Sequence, residues 1–159
     1  MDRDNHYIKR CIEIAEESHK KGDYPFGSVI VRDSDTVIES ENTAVQDVTG
    51  HAEINAIKKA LDVISDGDLS GCTLYSNFEP CAMCSFVIRD VGIKRVVYSV
   101  RSPHLGGHSK WNILTDSTMP SHFFSANRPE PPEVVGGVLE EEAQKIFDTL
   151  RWSIHKSDQ

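Results

Sequence analysis

The sequence predicts an α/β protein in which helices cover both faces of a central mixed sheet. Strand-like segments alternate with helix-like segments along the chain, which is the pattern of a sheet with covering helices. The first two helix-like segments carry an apolar stripe on one face, and one strand is apolar almost throughout, as expected when both of its faces are covered. The length suits one domain with its own core, taken as residues 1–159.

The first part of the chain predicts two helices separated by a hairpin. Apolar residues three and four positions apart predict a helix over residues 6–20, which the segment 22–25 ends. Residues 26–31 predict a buried strand, and residues 36–40 predict its hairpin partner. A second apolar stripe predicts a helix over residues 51–64.

The second part predicts three further strands and two further helices. Strands are expected at 72–76, 93–100 and 134–135, and helices at 81–89 and 140–152. Residues 101–133 are expected to form a loop. The loop is rich in glycine and proline, and a loop this long inside a compact domain is usually functional. A short helix around residues 109–114 is expected to interrupt it. The predicted sheet therefore has five strands.

The composition disfavours several classes of protein. The net charge of −8 repels phosphate backbones unless basic residues cluster, and only short basic pairs occur, which argues against a dedicated nucleic-acid binder. No apolar run approaches the roughly 20 residues that cross a bilayer. Residues 1–6 lead into a charged helical pattern without an apolar signal core. We therefore expect a cytoplasmic protein without a membrane partner and without a disulfide framework.

Two short motifs carry residues suited to catalysis. His51-x-Glu53 begins the second predicted helix, and Pro80-Cys81-x-x-Cys84 begins the third. Cysteines three apart at a helix N-terminus share a face, and the helix end favours their thiolates. With His51 they provide three ligands for Zn²⁺, which leaves a fourth position for water, as in catalytic zinc sites. Glu53 is then placed to carry protons, and the combined pattern is typical of zinc deaminases.

Other interpretations of the cysteines stay open at this point. A C-x-x-C pair alone also fits a redox site or a structural zinc site. A structural site needs a fourth ligand, for which Cys72 is the nearby candidate, although its strand pattern indicates a core position. Cys11 lies on the apolar stripe of the first helix and is also expected in the core. A redox pair would make no use of His51 or Glu53.

These motifs resemble those of the cytidine/deoxycytidylate deaminase superfamily. The chain is most similar to the branch of guanine deaminases, small cytosine deaminases and bacterial tRNA adenosine deaminases. The resemblance spans residues 5–152 and is strongest over 25–31, 51–57 and 73–84. It implies a cytidine deaminase-like three-layer α/β/α sandwich with a mixed five-stranded sheet, and one zinc per chain in a homodimer. It also implies that the histidine and two cysteines bind zinc and that the glutamate shuttles protons.

The resemblance suggests three residues for binding the substrate, and the loop sequence adds Trp111 as a fourth candidate. Asn42 fits an asparagine that hydrogen-bonds the base, and Phe26 would line the pocket. Guanine deaminases of this branch read the base through an acidic residue after the fourth strand, and that place falls at Asn112 here. Because asparagine both donates and accepts hydrogen bonds, a base with a different edge from guanine is expected. Trp111 would either stack on the ring or pack within the protein.

Three functions follow from these patterns. The first is a hydrolase of C–N bonds in cyclic amidines that acts on a small-molecule nucleobase or nucleoside. The second is a tRNA-specific adenosine deaminase, which needs a denser basic cluster than residues 151–156 provide. The third is a catalytically silent zinc protein within an assembly, which predicts loss of the proton shuttle, whereas Glu53 is present.

Overall fold

A mixed five-stranded sheet forms the centre of the protein. The computed structural model describes residues 2–64, 66–120 and 130–149. In chain order the elements are α1 (Asp2–Lys20), β1 (Gly27–Val31), β2 (Val37–Glu41), α2 (Ala52–Val63), β3 (Thr73–Phe78), α3 (Ala82–Asp90), β4 (Arg95–Val100), β5 (Glu133–Val135) and α4 (Glu140–Thr149). The strand order is β2-β1-β3-β4-β5, with β1 antiparallel to both neighbours and β3, β4 and β5 mutually parallel. The predicted mixed sheet is confirmed.

Helices cover both faces of this sheet, because successive strand residues point to opposite faces and each face carries its own hydrophobic core. Successive side chains of a strand alternate between faces. Accordingly Leu74 and Val96 pack with α2 and α3, whereas Tyr75 and Val97 pack with α1 and α4. The three-layer α/β/α arrangement is therefore confirmed. No helix in the described segments is long and apolar enough to cross a membrane.

The two cysteines outside the C-x-x-C motif belong to these cores. Cys11 is fully buried between α1 and the sheet, and Cys72 is fully buried in the cluster on the opposite face. Burial raises the pKa of both thiols, which keeps them protonated and apolar in character. Both core predictions are confirmed.

The loop after β4 differs from the sequence prediction. Residues 109–114 form turns instead of the expected short helix. The backbone N–H groups of Lys110 and Trp111 both point to the carbonyl of Gly106, and those of Ile113 and Leu114 both point to the carbonyl of Gly107. Because each of these two carbonyls accepts two N–H groups, the regular hydrogen-bond pattern of an α-helix does not form. The predicted end of the closing helix at residue 152 lies outside the described residues.

The topology gathers several loops at one edge of the sheet. The parallel strands β3 and β4 both end at this edge, and β3 leads directly into α3. In open α/β sheets, ligands commonly bind beyond the carboxyl ends of the strands. The segment before α2 reaches the same edge, so both sequence motifs meet there.

Candidate active site

Three metal-binding side chains converge where two helices begin. His51 precedes α2 and Cys81 precedes α3, and both have the extended backbone of an N-cap residue. Their side chains therefore extend past the helix ends into a shared space. The Nδ1 atom of His51 lies 3.5 Å from the Sγ atoms of both Cys81 and Cys84, and the two Sγ atoms are 3.7 Å apart.

These separations fit a tetrahedral zinc ion. With Zn–S bonds of about 2.3 Å and Zn–N bonds of about 2.05 Å, two sulfurs lie about 3.8 Å apart and sulfur and nitrogen about 3.6 Å apart. Within the described segments, no other histidine, cysteine, aspartate or glutamate joins the group. Cys72, the candidate fourth ligand of a structural site, lies in the core instead. Three protein donors are the pattern of a catalytic zinc site.

The two thiols differ in acidity because one donates to the other. The hydrogen bond from Cys84 Sγ, together with that from His51, lowers the pKa of Cys81 to about 4. The same bond to Cys81, together with burial, raises the pKa of Cys84. The contact with Cys81 raises the pKa of His51. The group therefore holds one thiolate readily, and a cation would favour the second.

Glu53 lies beside this group in the first turn of α2. Its side chain is buried, with 5% of the residue exposed. One carboxylate oxygen, Oε1, accepts a hydrogen bond of 2.9 Å from the hydroxyl of Ser76 on β3. The other, Oε2, lies 3.6 Å from Cys84 Sγ. Burial raises the pKa of Glu53, so this carboxyl group is suited to taking up a proton.

A cavity of about 330 Å³ opens next to these groups. Its lining includes His51, Glu53 and Cys81 together with the sequence-predicted Phe26 and Asn42. The structure thus brings both of these residues to the zinc-binding group. The volume lies at the lower end of the roughly 300–1,000 Å³ that is usual for small-molecule sites, which suits a single small ring system.

Trp111 and Asn112 lie elsewhere. Neither belongs to the lining of the cavity; both are exposed, and the oxygen of Asn112 accepts a hydrogen bond from Thr115. The same segment buries Leu114, whereas Trp111 and Asn112 face outward. The structure therefore does not bring Trp111 or Asn112 to the cavity beside the zinc-binding group.

A buried carboxylate that the sequence motifs left out shapes one wall of the cavity. Glu79 is only 3% exposed and follows β3 directly. Its carboxylate accepts hydrogen bonds from the backbone N–H groups of Ser102, His108 and Ser109 and from the Ser109 hydroxyl. This holds the loop that contributes Ser102 and Leu105 to the wall. Its position before Pro80 was the only sequence signal for this role.

Two glycines allow the same loop to pack against the start of α3. A Cβ atom on Gly106 would collide with the carboxylate of Glu79, and one on Gly107 would collide with the side chain of Ser85. The N–H group of Gly107 donates to the carbonyl of Pro80 at 2.9 Å. The loop is therefore fixed to the same turn that carries the cysteine pair.

Comparison with known proteins gives a consistent result. Residues 1–100 match the cytidine and deoxycytidylate deaminase zinc-binding region. The chain is 34% identical over 148 residues to a probable cytosine deaminase of Schizosaccharomyces pombe, covering 89% of this chain and 88% of that protein. It is 40% identical over 96 residues to the guanine deaminase of Bacillus subtilis, covering 58% and 62%.

A solved structure with the same fold has a third kind of substrate. It comes from a study of A-to-I editing by tRNA:A34 deaminases and superposes with a TM-score of 0.77 at 29% identity. The match covers 89% of this chain and 98% of that one. The names of these relatives specify different substrates, namely cytosine, guanine and an adenosine of tRNA.

Proposed function

The chain belongs to the cytidine and deoxycytidylate deaminase family and is a zinc-dependent deaminase, and from this premise we propose that it releases ammonia from the exocyclic amino group of a free nucleobase or nucleoside. The observation that carries the proposal is the three-donor zinc group beside Glu53, with His51, Glu53 and Cys81 lining a small cavity. A cavity of about 330 Å³ fits one ring better than an extended strand. The net charge of −8 also favours a substrate without a phosphate backbone.

The chemistry divides between the metal-binding group and one carboxylate. His51, Cys81 and Cys84 hold the zinc. A zinc ion held by these residues would supply a nucleophile at neutral pH by lowering the pKa of water to about 7. Glu53 takes a proton from the attacking water and gives it to a ring nitrogen. It then takes the proton of the hydroxyl group formed on the ring carbon and gives it to the departing amine. Ser76 donates to Oε1 of Glu53, whereas the thiol of Cys84 that donates to Oε2 would lose its proton on binding zinc, so Oε2 is the oxygen that carries the proton. Water and the aminated ring become a carbonyl and ammonia.

The remaining predicted residues bind the ring in this proposal. Asn42 hydrogen-bonds a polar edge of the ring, and Phe26 packs against its apolar surface. The ring of Phe26 is held edge-on against Phe78, with 5.4 Å between centroids, so it presents a fixed surface. Positioned walls of this kind are what orient a substrate for attack.

An ammonia-release screen tests the proposal. The panel contains free bases, nucleosides, nucleotides, pterin- and triazine-like rings and an anticodon stem-loop RNA, assayed with zinc-loaded protein. We expect release from at least one free base or nucleoside. Glu53→Ala should abolish release while metal analysis still finds zinc, whereas Cys84→Ala should lose zinc. Turnover of small rings by Glu53→Ala at the wild-type rate would reject the mechanism.

The second candidate is a tRNA-specific adenosine deaminase. The similarity to the tRNA:A34 deaminase structure favours it, because that match covers nearly all of both chains. The same screen separates the two functions. Ammonia release from the stem-loop alone, with none from free bases or nucleosides, would replace the first proposal by the second.

We also propose that the chain forms a homodimer through α3. Met83 and Phe86 lie three positions apart on this helix and are 38% and 46% exposed. Neighbouring exposed apolar side chains of this size are typical of subunit interfaces. Light scattering should give a particle mass of twice the chain mass for the wild type. The Phe86→Glu variant should give the mass of a single chain. The cytoplasmic location stays a prediction.

A further inference from the structure

Asp23, in the loop between α1 and β1, contacts the side chain of Asn42. Its Oδ1 atom accepts hydrogen bonds from Nδ2 of Asn42 at 2.7 Å and from the N–H group of Tyr24 at 2.8 Å. Its Oδ2 atom accepts a longer bond of 3.4 Å from the N–H group of Val45. One carboxylate thus connects the loop before β1 with the loop after β2, and both loops line the cavity.

The chemistry of the pair determines which way the Asn42 amide points. A carboxylate only accepts hydrogen bonds, so the NH₂ group of the amide, and not its oxygen, must face Asp23. The two ends of an amide look alike in shape, and a partner of this kind is what distinguishes them. The Oδ1 atom of Asn42 accepts no hydrogen bond from the described residues, and Asn42 lines the cavity.

The backbone of Asn42 is held separately from its side chain. Its N–H group donates to the carbonyl of Phe26 at 3.2 Å, and its carbonyl accepts a bond of 3.4 Å from the Ser18 hydroxyl. With the backbone fixed and the residue 3% exposed, the orientation of the amide is the remaining freedom. A flipped amide would set Oδ1 against the Asp23 carboxylate, two acceptors without a proton between them.

We propose that Asp23 is a positioning residue that fixes Asn42 with Oδ1 facing the substrate as a hydrogen-bond acceptor. The site then selects aminated rings that present an N–H or amino donor at this edge, because a ring with an acceptor there would leave both groups unpaired. The inference rests on the proposed function and narrows its substrate class. Asp23 belongs neither to the zinc-binding residues nor to the proton-carrying carboxyl group of Glu53.

An exchange of the two side chains tests the direction of the hydrogen bond. Asn42→Asp alone sets two carboxylates against each other, and we expect kcat/KM to fall by about 100-fold. The double variant Asp23→Asn/Asn42→Asp restores one amide and one carboxylate, and its carboxylate oxygen still faces the cavity. We expect it to recover at least about tenfold over Asn42→Asp, the scale of one hydrogen bond to a charged group. A double variant no more active than Asn42→Asp would show that the substrate needs an N–H donor, which overturns the inference.

Single variants and a matched control complete the experiment. Asp23→Asn should raise KM more than it lowers kcat, since only ring recognition changes. Asp33→Asn is the control, because Asp33 also accepts two backbone N–H groups but lies in the turn between β1 and β2. It should leave kcat, KM and the thermal midpoint unchanged.

A spectroscopic measurement separates this inference from the proposed function. In protein labelled with ¹⁵N-asparagine, the side-chain amide signals of Asn42 are those missing in Asn42→Asp. They should shift in Asp23→Asn and stay in place in Asp33→Asn, whether or not a substrate is known. Unmoved signals in Asp23→Asn would contradict the positioning role. Zinc-loaded wild-type protein that releases no ammonia from any base or nucleoside would instead contradict the proposed function.

Discussion

Two buried glutamates border the cavity, and their hydrogen-bond partners give them different tasks. Glu53 accepts one hydrogen bond from the Ser76 hydroxyl and a second from the thiol of Cys84, a group that would give up its proton on binding a metal. Glu79 accepts three backbone N–H groups and one hydroxyl, which occupy both of its oxygens. The exposed fractions are nearly the same, 5% and 3%, so burial alone does not distinguish them.

The difference shows that the number of fixed donors decides what a buried carboxylate can do. A carboxylate whose two oxygens both accept fixed donors is held in one place and ties the segments that carry those donors together. A carboxylate whose second donor is a thiol that loses its proton on binding a metal keeps one oxygen available to take up and release a proton. Glu53 is therefore suited to catalysis and Glu79 to holding the loop of residues 102–109.

The largest effect is expected for Glu53→Gln. The amide keeps the shape of the side chain but cannot carry the proton, so kcat should fall by roughly 100- to 10,000-fold. Zinc content and the thermal midpoint should stay near those of the wild type, because the zinc group does not include this residue. Steady-state kinetics, metal analysis and thermal unfolding check this. A loss of stability as large as that of Glu79→Gln would remove the distinction between the two glutamates.

Glu79→Gln should act first on stability. Its NH₂ group would face backbone N–H donors of the loop, leaving donors unpaired at a cost of about 1–3 kcal/mol in unfolding free energy. The loosened wall should raise KM more than it lowers kcat. Urea unfolding and steady-state kinetics measure the two effects. An unchanged unfolding free energy together with a lost kcat would mean that Glu79 takes part in the chemistry.

A smaller effect is expected for Ser76→Ala. The change removes the hydroxyl that holds Oε1 of Glu53, and one neutral hydrogen bond of about 0.5–1.5 kcal/mol corresponds to a fall in kcat of about 3- to 10-fold. Ser28→Ala is the matched control, since Ser28 pairs with Ser76 across the sheet and its hydroxyl donates to a backbone carbonyl at 2.7 Å. Equal losses of kcat in both variants would point to a general effect on the sheet.

The smallest effect is expected for Asn112→Asp. The residue is exposed and lies outside the lining of the cavity, so the ratio of rates for cytosine, guanine and adenine should not change. The same ammonia-release assay measures this ratio. A shift toward guanine would show that the tip of the loop, and not only its Glu79-bound part, contacts the base.

The sequence predicted the parts of the molecule whose signals are local. Apolar stripes predicted the first two helices, the acidic first turn indicated the closing helix, and apolar segments predicted the five strands. The spacing of Cys81 and Cys84 at a helix start, with His51 at another, was sufficient to propose the zinc group that the structure assembles. Each of these signals lies within a few residues of the feature that it predicts.

The loop after β4 could not be predicted in the same way. Its path depends on Glu79, which is 23 to 30 positions earlier in the chain than the residues it binds. The approach of Gly106 and Gly107 to the start of α3 leaves no periodic pattern in the sequence. A position counted along the chain from Tyr98 therefore placed Asn112 in the site, although the loop turns it outward. The pairing of Asp23 with Asn42 was missed for the same reason.

A zinc ion bound by this group would link the segment before α2 to the start of α3. His51 and the cysteine pair lie 30 and 33 positions apart and reach each other only when α2 and α3 rest on the same face of the sheet. An unfolded chain does not present them together, so metal binding and folding are thermodynamically linked. Above the dissociation constant, each tenfold rise in free zinc adds about 1.4 kcal/mol to the stability of the native state.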